Sequence, residues 1–265
     1  MGTRTKYEPN ELCWVDLMAA DLDAAATFYS SLLGCEVVKP DTQGGPPYFM
    51  LQRDGCALAG MGALPSEMAT QGIPPHWGTY VNTPDLEAAC ERVSAAGGQV
   101  AMPPTSVGPA GSMAMVLDPT GAGIRLWKAD RHIGAGLVNV PGTWVWNELT
   151  TAKLDEALAF YEAAFDWTAS ADDMPDGSKY WGLKRRGDEK LQAGAMLPPP
   201  GTEGQPPNWS VYFAVESIET AKARVGELGG QVLMPLSVPA GEIAVCTDPG
   251  GAVFLLIEMA IEVDE

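Results

Sequence analysis

The chain states its pattern twice, at a spacing of 132 residues, and that repeat limits its architecture more than any other feature. Trp14-x-Asp16-Leu17 returns as Trp146-x-Glu148-Leu149, and Phe28-Tyr29 returns as Phe160-Tyr161. Pro74-Pro75-x-Trp77 becomes Pro206-Pro207-x-Trp209, and Gly97-Gly98-Gln99-Val100 becomes Gly229-Gly230-Gln231-Val232. The spacing then shortens to 130, where Asp118-Pro119-x-Gly121 matches Asp248-Pro249-x-Gly251. Solenoid and propeller repeats run at roughly 20–50 residues, so a period this long is a duplicated domain. Comparing the halves position by position separates what both need from what one alone uses.

Within each half the pattern is a strand, a helix and further strands, run through twice. From Leu12 to Ala19 the apolar partners Val15 and Leu17 alternate with Trp14, Asp16 and Met18, as an extended strand requires. Asp21 suits an N-cap, Ala25, Phe28 and Leu32 follow helical spacing, and Gly34 suits a stop. Strands near Tyr48–Arg53 and Ala57–Ala63 flank an Asp54-Gly55 turn. The unit restarts at Trp77–Asn82, with Asp85 as a second N-cap and strands to Trp127. The expectation is an α+β chain of four tandem βαβββ modules in two curved-sheet domains. They span residues 1–131 and 143–265, joined by a linker at 132–142, with helices on the convex outside. Which modules pair is open at this point.

Composition narrows the partners. A net charge of −18 and a pI near 4.4 disfavour nucleic acid and anionic membrane surfaces. No apolar run approaches the roughly 18 residues that span a bilayer. The start of the chain lacks the apolar stretch of a signal peptide. Five cysteines, odd in number and without CxxC spacing, read as reduced and mostly buried. A cytoplasmic protein, monomeric or homodimeric, with a small-molecule ligand is expected.

Asp21-Leu22-x-x-Ala25-x-x-Phe28-Tyr29-x-x-Leu32-Leu33-Gly34, followed by Gly97-Gly98-Gln99 and Asp118-Pro119-x-Gly121, resembles the vicinal oxygen chelate superfamily of glyoxalases, bleomycin-resistance proteins and extradiol dioxygenases. Arg131-His132-Ile133-Gly134-Ala135 and the two Trp-x-acid-Leu strands resemble its two-domain actinobacterial "hydroxylase" type, as in anthracycline biosynthesis. The resemblance implies glyoxalase-like domains. It does not fix a reaction, because one scaffold hosts many chemistries.

The family's metal-dependent members take ligands from the first and last strands of paired modules. Carried to this chain, those positions hold Trp14, Gly78 and Arg125, then Trp146, Ser210 and Leu255. None suits a divalent ion, so no metal and no cofactor is expected. Strand alternation instead turns Trp14, Asp16, Met18, Tyr80, Arg125 and Trp127 into the first concavity, and Trp146, Glu148 and Tyr212 into the second. Asp16, Arg125 and Glu148 are the candidate catalytic residues, and Trp14, Met18, Tyr80, Trp127, Trp146 and Tyr212 the candidate binding residues. Each has a structural alternative: the tryptophans as plugs, Asp16 and Arg125 as a buried ion pair, the tyrosines as core. His76 reads as a rim residue and His132 as an anchor between domains.

Three functions stand side by side. The first is metal-independent acid/base chemistry on an aromatic or quinone-like molecule of specialised metabolism, by a lyase-, isomerase- or hydrolase-type or hydroxylase-associated enzyme. The second is antibiotic-type capture without chemistry. The third is a metal-dependent glyoxalase or dioxygenase. The first cavity, with acid, cation and extra aromatic face, is expected to be the working one.

Overall fold

The computed structural model describes residues 2–42, 44–202 and 204–260. In the first half the elements run β1 (Leu12–Ala19), α1 (Leu22–Leu33), β2 (Glu36–Val38), β3 (Tyr48–Arg53), β4 (Cys56–Ala63), the short α2 (Ser66–Thr70), β5 (His76–Asn82), α3 (Leu86–Ala95), β6 (Gln99–Ser106), β7 (Gly111–Leu117) and β8 (Gly123–Ala129). The second half runs β9 (Trp144–Thr150), α4 (Leu154–Phe165), β10 (Trp167–Asp173), β11 (Lys179–Arg185), β12 (Ala193–Met196), β13 (Asn208–Ala214), α5 (Ile218–Glu227), β14 (Gln231–Val238), β15 (Gly241–Thr247) and β16 (Val253–Met259). The chain is α+β, with two glyoxalase-like curved-sheet domains. Among the described residues no helix is long and apolar enough to cross a membrane.

Local signals act where the sequence places them. Asp21 accepts from the Ala24 amide at 3.0 Å and Asp85 from the Ala88 amide at 3.0 Å, satisfying amides the first turn leaves free. Gly34 ends α1 at φ 63°, a conformation that is cheap without a Cβ. Asp54 and Gly55 both take positive φ, as a two-residue hairpin turn demands. The short edge strand β2 has no periodic signal of its own.

The pairing left open by the sequence is now fixed. The first sheet has the order β2-β3-β4-β1-β5-β8-β7-β6 and the second β10-β11-β12-β9-β13-β16-β15-β14. Successive modules join through the antiparallel pairs β1·β5 and β9·β13, so each half builds its own sheet.

The helices do not lie on the outside. The helix-bearing faces of the two sheets pack on each other, because the helices carry aromatic residues that a solvent face would leave exposed. Phe28 meets Phe254 edge-on at 5.9 Å, and Trp77 meets Phe213 at 5.0 Å. Tyr29 accepts from Trp77 Nε1 at 3.0 Å and donates across the boundary to Asp248 Oδ2 at 3.1 Å. The second half returns the arrangement: Tyr161 accepts from Trp209 Nε1 at 2.8 Å and donates to Asp118 Oδ2 at 3.1 Å. Asp118 Oδ1 in turn caps the amides of Thr120, Gly121 and Ala122 in its own Asp-Pro turn. A Cβ on Gly98 would sit 2.6 Å from Phe160, and one on Gly230 3.0 Å from Phe28. Phe-Tyr, Trp, Gly-Gly and Asp-Pro-x-Gly therefore recur because each half needs them to hold the other.

The segment after β8 is no free tether. Ala135 donates to the Cys13 carbonyl at 2.8 Å and Gly136 to the Ala57 carbonyl at 2.7 Å, so it is stitched onto the first sheet. Replacing Tyr29 or Tyr161 with Phe leaves a buried carboxylate oxygen and an indole N–H without their shared partner. Each change is expected to cost about 1–3 kcal/mol in urea unfolding, and the two costs should be similar. Two unchanged midpoints would show that the bridges do not hold the halves together.

Candidate active site

With the helix faces turned on each other, each sheet presents its concave face away from the partner. On the first face the register sets Trp14 opposite Tyr80, Asp16 opposite Gly78, and Tyr80 beside Arg125. The Trp14 indole donates to the Tyr48 hydroxyl at 3.1 Å. Tyr80 donates to Asp16 Oδ2 at 2.7 Å, and Tyr48 reaches the same oxygen at 3.4 Å. The second face repeats the set: Trp146 donates to Tyr180 at 2.9 Å and Tyr212 to Glu148 Oε1 at 2.9 Å. The Tyr180 hydroxyl lies over Gly194, whose register partner is Glu148. Burial, followed by the adjacent carboxylate, pushes the Tyr80 and Tyr212 hydroxyls far above the ordinary phenol range, so both stay protonated donors.

Tyr48 and Tyr180 were not among the residues singled out from sequence, yet they stand at the same 132-residue spacing. Gly60 and Gly194 belong to the same device, because a Cβ on either would collide with the Tyr48 or Tyr180 hydroxyl.

The two faces differ in what fills them. On the first, Arg125 Nη1 lies 3.3 Å from Asp16 Oδ1, with the side chains only 7% and 2% exposed. No hydrogen bond reaches that oxygen, so the contact is ionic without donor alignment. Burial opposes the Arg125 charge more than any other single cause, but Asp16, Tyr80 and Tyr48 together outweigh it and hold the guanidinium above its ordinary value. Arg125 Nη2 reaches His76 Nε2 at 3.4 Å, and burial and then Arg125 push His76 below the usual imidazole range. His76 is half-buried at the rim.

His132 does not bridge the domains. Its ring lies edge-on to Trp14 at 4.5 Å and against Trp127 at 5.7 Å, while Trp127 Nε1 donates to its carbonyl at 2.8 Å. Burial lowers its pKa to about 4, leaving a neutral ring in an apolar slot. Trp14, Asp16, Tyr80, Arg125 and Trp127 are all buried, and Met18 packs half-buried beside Gly62. The structure thus brings the first set of candidates together around an ion pair and a histidine from the following segment.

On the second face Tyr212 stands beside Leu255, where Tyr80 has Arg125. Ile243, Leu255 and Ile257 form a separate apolar cluster with Tyr212, and Val145, Trp146 and Val245 pack against it. Trp146, Glu148, Thr150, Tyr180 and Ser210 are half-buried and line an open cavity that extends to Pro198 and Pro206 of a Pro-rich loop and also reaches His76, Gly78 and Arg125 of the first half, but not Asp16. Burial raises the Glu148 carboxyl above the ordinary carboxylate range, against the opposing pull of the Tyr212 and Tyr180 hydroxyls. Among the described residues no cation pairs with it.

Neither face suits a divalent ion. Asp16 and Glu148 are the carboxylates hydrogen-bonded to Tyr80 and Tyr212 in the two sets, and in the first a guanidinium already lies against the acid. Among the described residues no three His, Cys, Asp or Glu side chains converge.

The fold, the duplication and these motifs agree with comparisons to known proteins. Residues 12–126 match the model of the Glyoxalase/Bleomycin resistance protein/Dioxygenase superfamily, and residues 146–257 match that of the Glyoxalase-like domain. CFP32 of Mycobacterium tuberculosis, assigned by name to the glyoxylases, is 43% identical over 98% of this chain and 99% of its own length. The chain belongs to the glyoxalase/bleomycin resistance/dioxygenase superfamily. The anthracycline biosynthesis protein DauV of Streptomyces sp. is 32% identical over 96% of this chain and 95% of its own. Two solved structures share the superfamily fold at low identity. The Mn(II)-bound glyoxalase of Novosphingobium aromaticivorans aligns with a TM-score of 0.65 at 17% identity, over 97% of this chain and 84% of its own. The 2,3-dioxygenase LapB of Pseudomonas sp. KL28 gives 0.64 at 15%, over 96% and 93%.

Glu148 carries a stability signature of its own. A carboxyl raised in the folded state binds a proton there more readily than in the unfolded chain, so stability falls as pH rises from the ordinary glutamate pKa through the raised value. Glu148→Gln removes that burden at neutral pH. Its melting temperature is expected to exceed that of the unaltered protein at pH 7.5, with the gap closing toward pH 4. A gap independent of pH would show that Glu148 titrates normally.

Proposed function

We propose that this superfamily member works through its second concave face, as a metal-independent protein of specialised metabolism acting on a flat aromatic or quinone-like molecule. The observation that carries the reading is Glu148: a half-buried acid that accepts from the Tyr212 hydroxyl, in an open apolar cavity, without a paired cation among the described residues. Its counterpart Asp16 is enclosed and paired with Arg125, an arrangement that suits a structural role for both. Trp146 supplies a face for the ligand ring, and Ile243, Leu255 and Ile257 cover its apolar edges.

Glu148 is the group placed to move a proton. Protonated, it donates to a ligand carbonyl. Ionised, it accepts the proton of a ligand hydroxyl or an acidic C–H. The Tyr212 hydroxyl fixes its orientation, as general acid/base chemistry requires. Hydration, ring opening and rearrangement all begin with such a transfer. The likeness to DauV, named for anthracycline biosynthesis, supports aromatic specialised metabolites as the substrate class. The apolar lining also favours a second reading, capture of the same ligand without turnover.

Turnover and binding measured together on a panel of aromatic polyketides separate the two. For an enzyme, Glu148→Gln is expected to cut turnover by about 10²–10⁴-fold with ligand still bound. For a capture protein, no panel member is consumed and the affinity survives chelation. In either case dialysis against a chelator should change nothing. A stoichiometric Zn²⁺, Fe²⁺ or Ni²⁺ in purified protein would overturn the metal-independent reading.

A further inference from the structure

The two concave faces are one receptor built twice, and the first holds its own occupants. What the halves share is a Trp–Tyr pair, an acid and a second Tyr: Trp14, Tyr48, Asp16 and Tyr80 in one, Trp146, Tyr180, Glu148 and Tyr212 in the other. What they do not share is what lies against that set. In the first half a guanidinium sits 3.3 Å from the acid, its carbon 5.4 Å from the centroid of the Tyr80 ring. Gly78 leaves it room, because a Cβ there would overlap Arg125. An imidazole closes the other side, edge-on to Trp14.

In the second half these occupants are missing from their places. Leu255 stands at the register position of Arg125, and Ser210 replaces Gly78 opposite the acid. Among the described residues Trp146 has no ring partner and Glu148 no cationic one. The acid is also one methylene longer than Asp16 and half-buried instead of sealed. The set is kept without the guanidinium and imidazole that lie against it in the first half.

We propose that the second cavity takes a planar aromatic ligand bearing a protonated nitrogen. Its ring lies against Trp146 where His132 lies against Trp14, and its nitrogen meets Glu148 from the cavity side, since the Cβ of Ser210 stands in the space that Gly78 leaves to the Arg125 guanidinium. A carboxylate with an aromatic face beside it is a cation site, through Coulomb attraction and the ring quadrupole together. The same grouping repels carboxylates and phosphates, and the chain's charge of −18 adds to that selection. The proposal rests on the second face being the binding site and adds the class of molecule that enters it.

Three indoles of similar size test it by titration calorimetry at pH 7.5 and low salt: tryptamine, with an ammonium group; tryptophol, neutral; and indole-3-propionate, anionic. Tryptamine is expected to bind about tenfold tighter than tryptophol, with the anion weakest. Glu148→Gln should remove the tryptamine preference while tryptophol binding persists, which also shows that the variant is folded. The double change Ser210→Gly with Leu255→Arg rebuilds the first half's ion pair, and it should abolish tryptamine binding. Equal affinity for tryptamine and tryptophol would overturn the charged nitrogen while leaving the cavity reading intact. Tryptamine binding that the double variant leaves unchanged, or no binding of any indole at millimolar concentration, would overturn both.

Discussion

Two hydrogen-bonded bridges, Trp77–Tyr29–Asp248 and Trp209–Tyr161–Asp118, set the form of the whole molecule. Each begins on a strand of one half, passes through a helix of the same half and ends on a turn of the other. All of their polar atoms are buried, so neither half can part from the other without leaving donors and acceptors unsatisfied. The bridges turn the helix-bearing faces inward. They leave the concave faces pointing away from the interface, where a ligand can reach them.

Once the inward face is committed to association, the duplicated concave faces are free to diverge. In the first, a buried acid and guanidinium neutralise one another and a histidine fills the remaining slot. Such a pair contributes little net stability over an apolar filling, yet it is costly to break once made. In the second, aliphatic side chains replace the cation and the acid stays half-buried. On the proposed reading one copy is a filled core and the other a site, and the differences include Arg125 against Leu255, Gly78 against Ser210 and Trp127 against Ile257.

Much of this was legible in the sequence because strand alternation and helix capping are local. Alternation put Trp14 and Asp16, and Trp146 and Glu148, on the concave side, and Trp77 and Trp209 on the helix side, where both are found. The helices were expected to face solvent because the partners of Phe28 and Tyr29 in the other half lie more than 180 residues away, beyond any local pattern. His132 escaped for the same reason: nothing in a linker sequence shows that it folds back between Trp14 and Trp127. Tyr48 and Tyr180 were within reach, since they obey the repeat, but strand order was needed to show that they reach the acids. The preference for the first cavity weighed the kinds of residue present. The second cavity is proposed instead on which of them remain accessible, a matter of tertiary packing.

The central claim is that the second face is open to a ligand and the first is occupied by the protein itself. A crystal structure of the protein soaked with a bound aromatic ligand tests this most directly. The account expects ligand density against Trp146 and Glu148, with His132 still in place between Trp14 and Trp127. Density in the first cavity, with His132 displaced from Trp14, would contradict it.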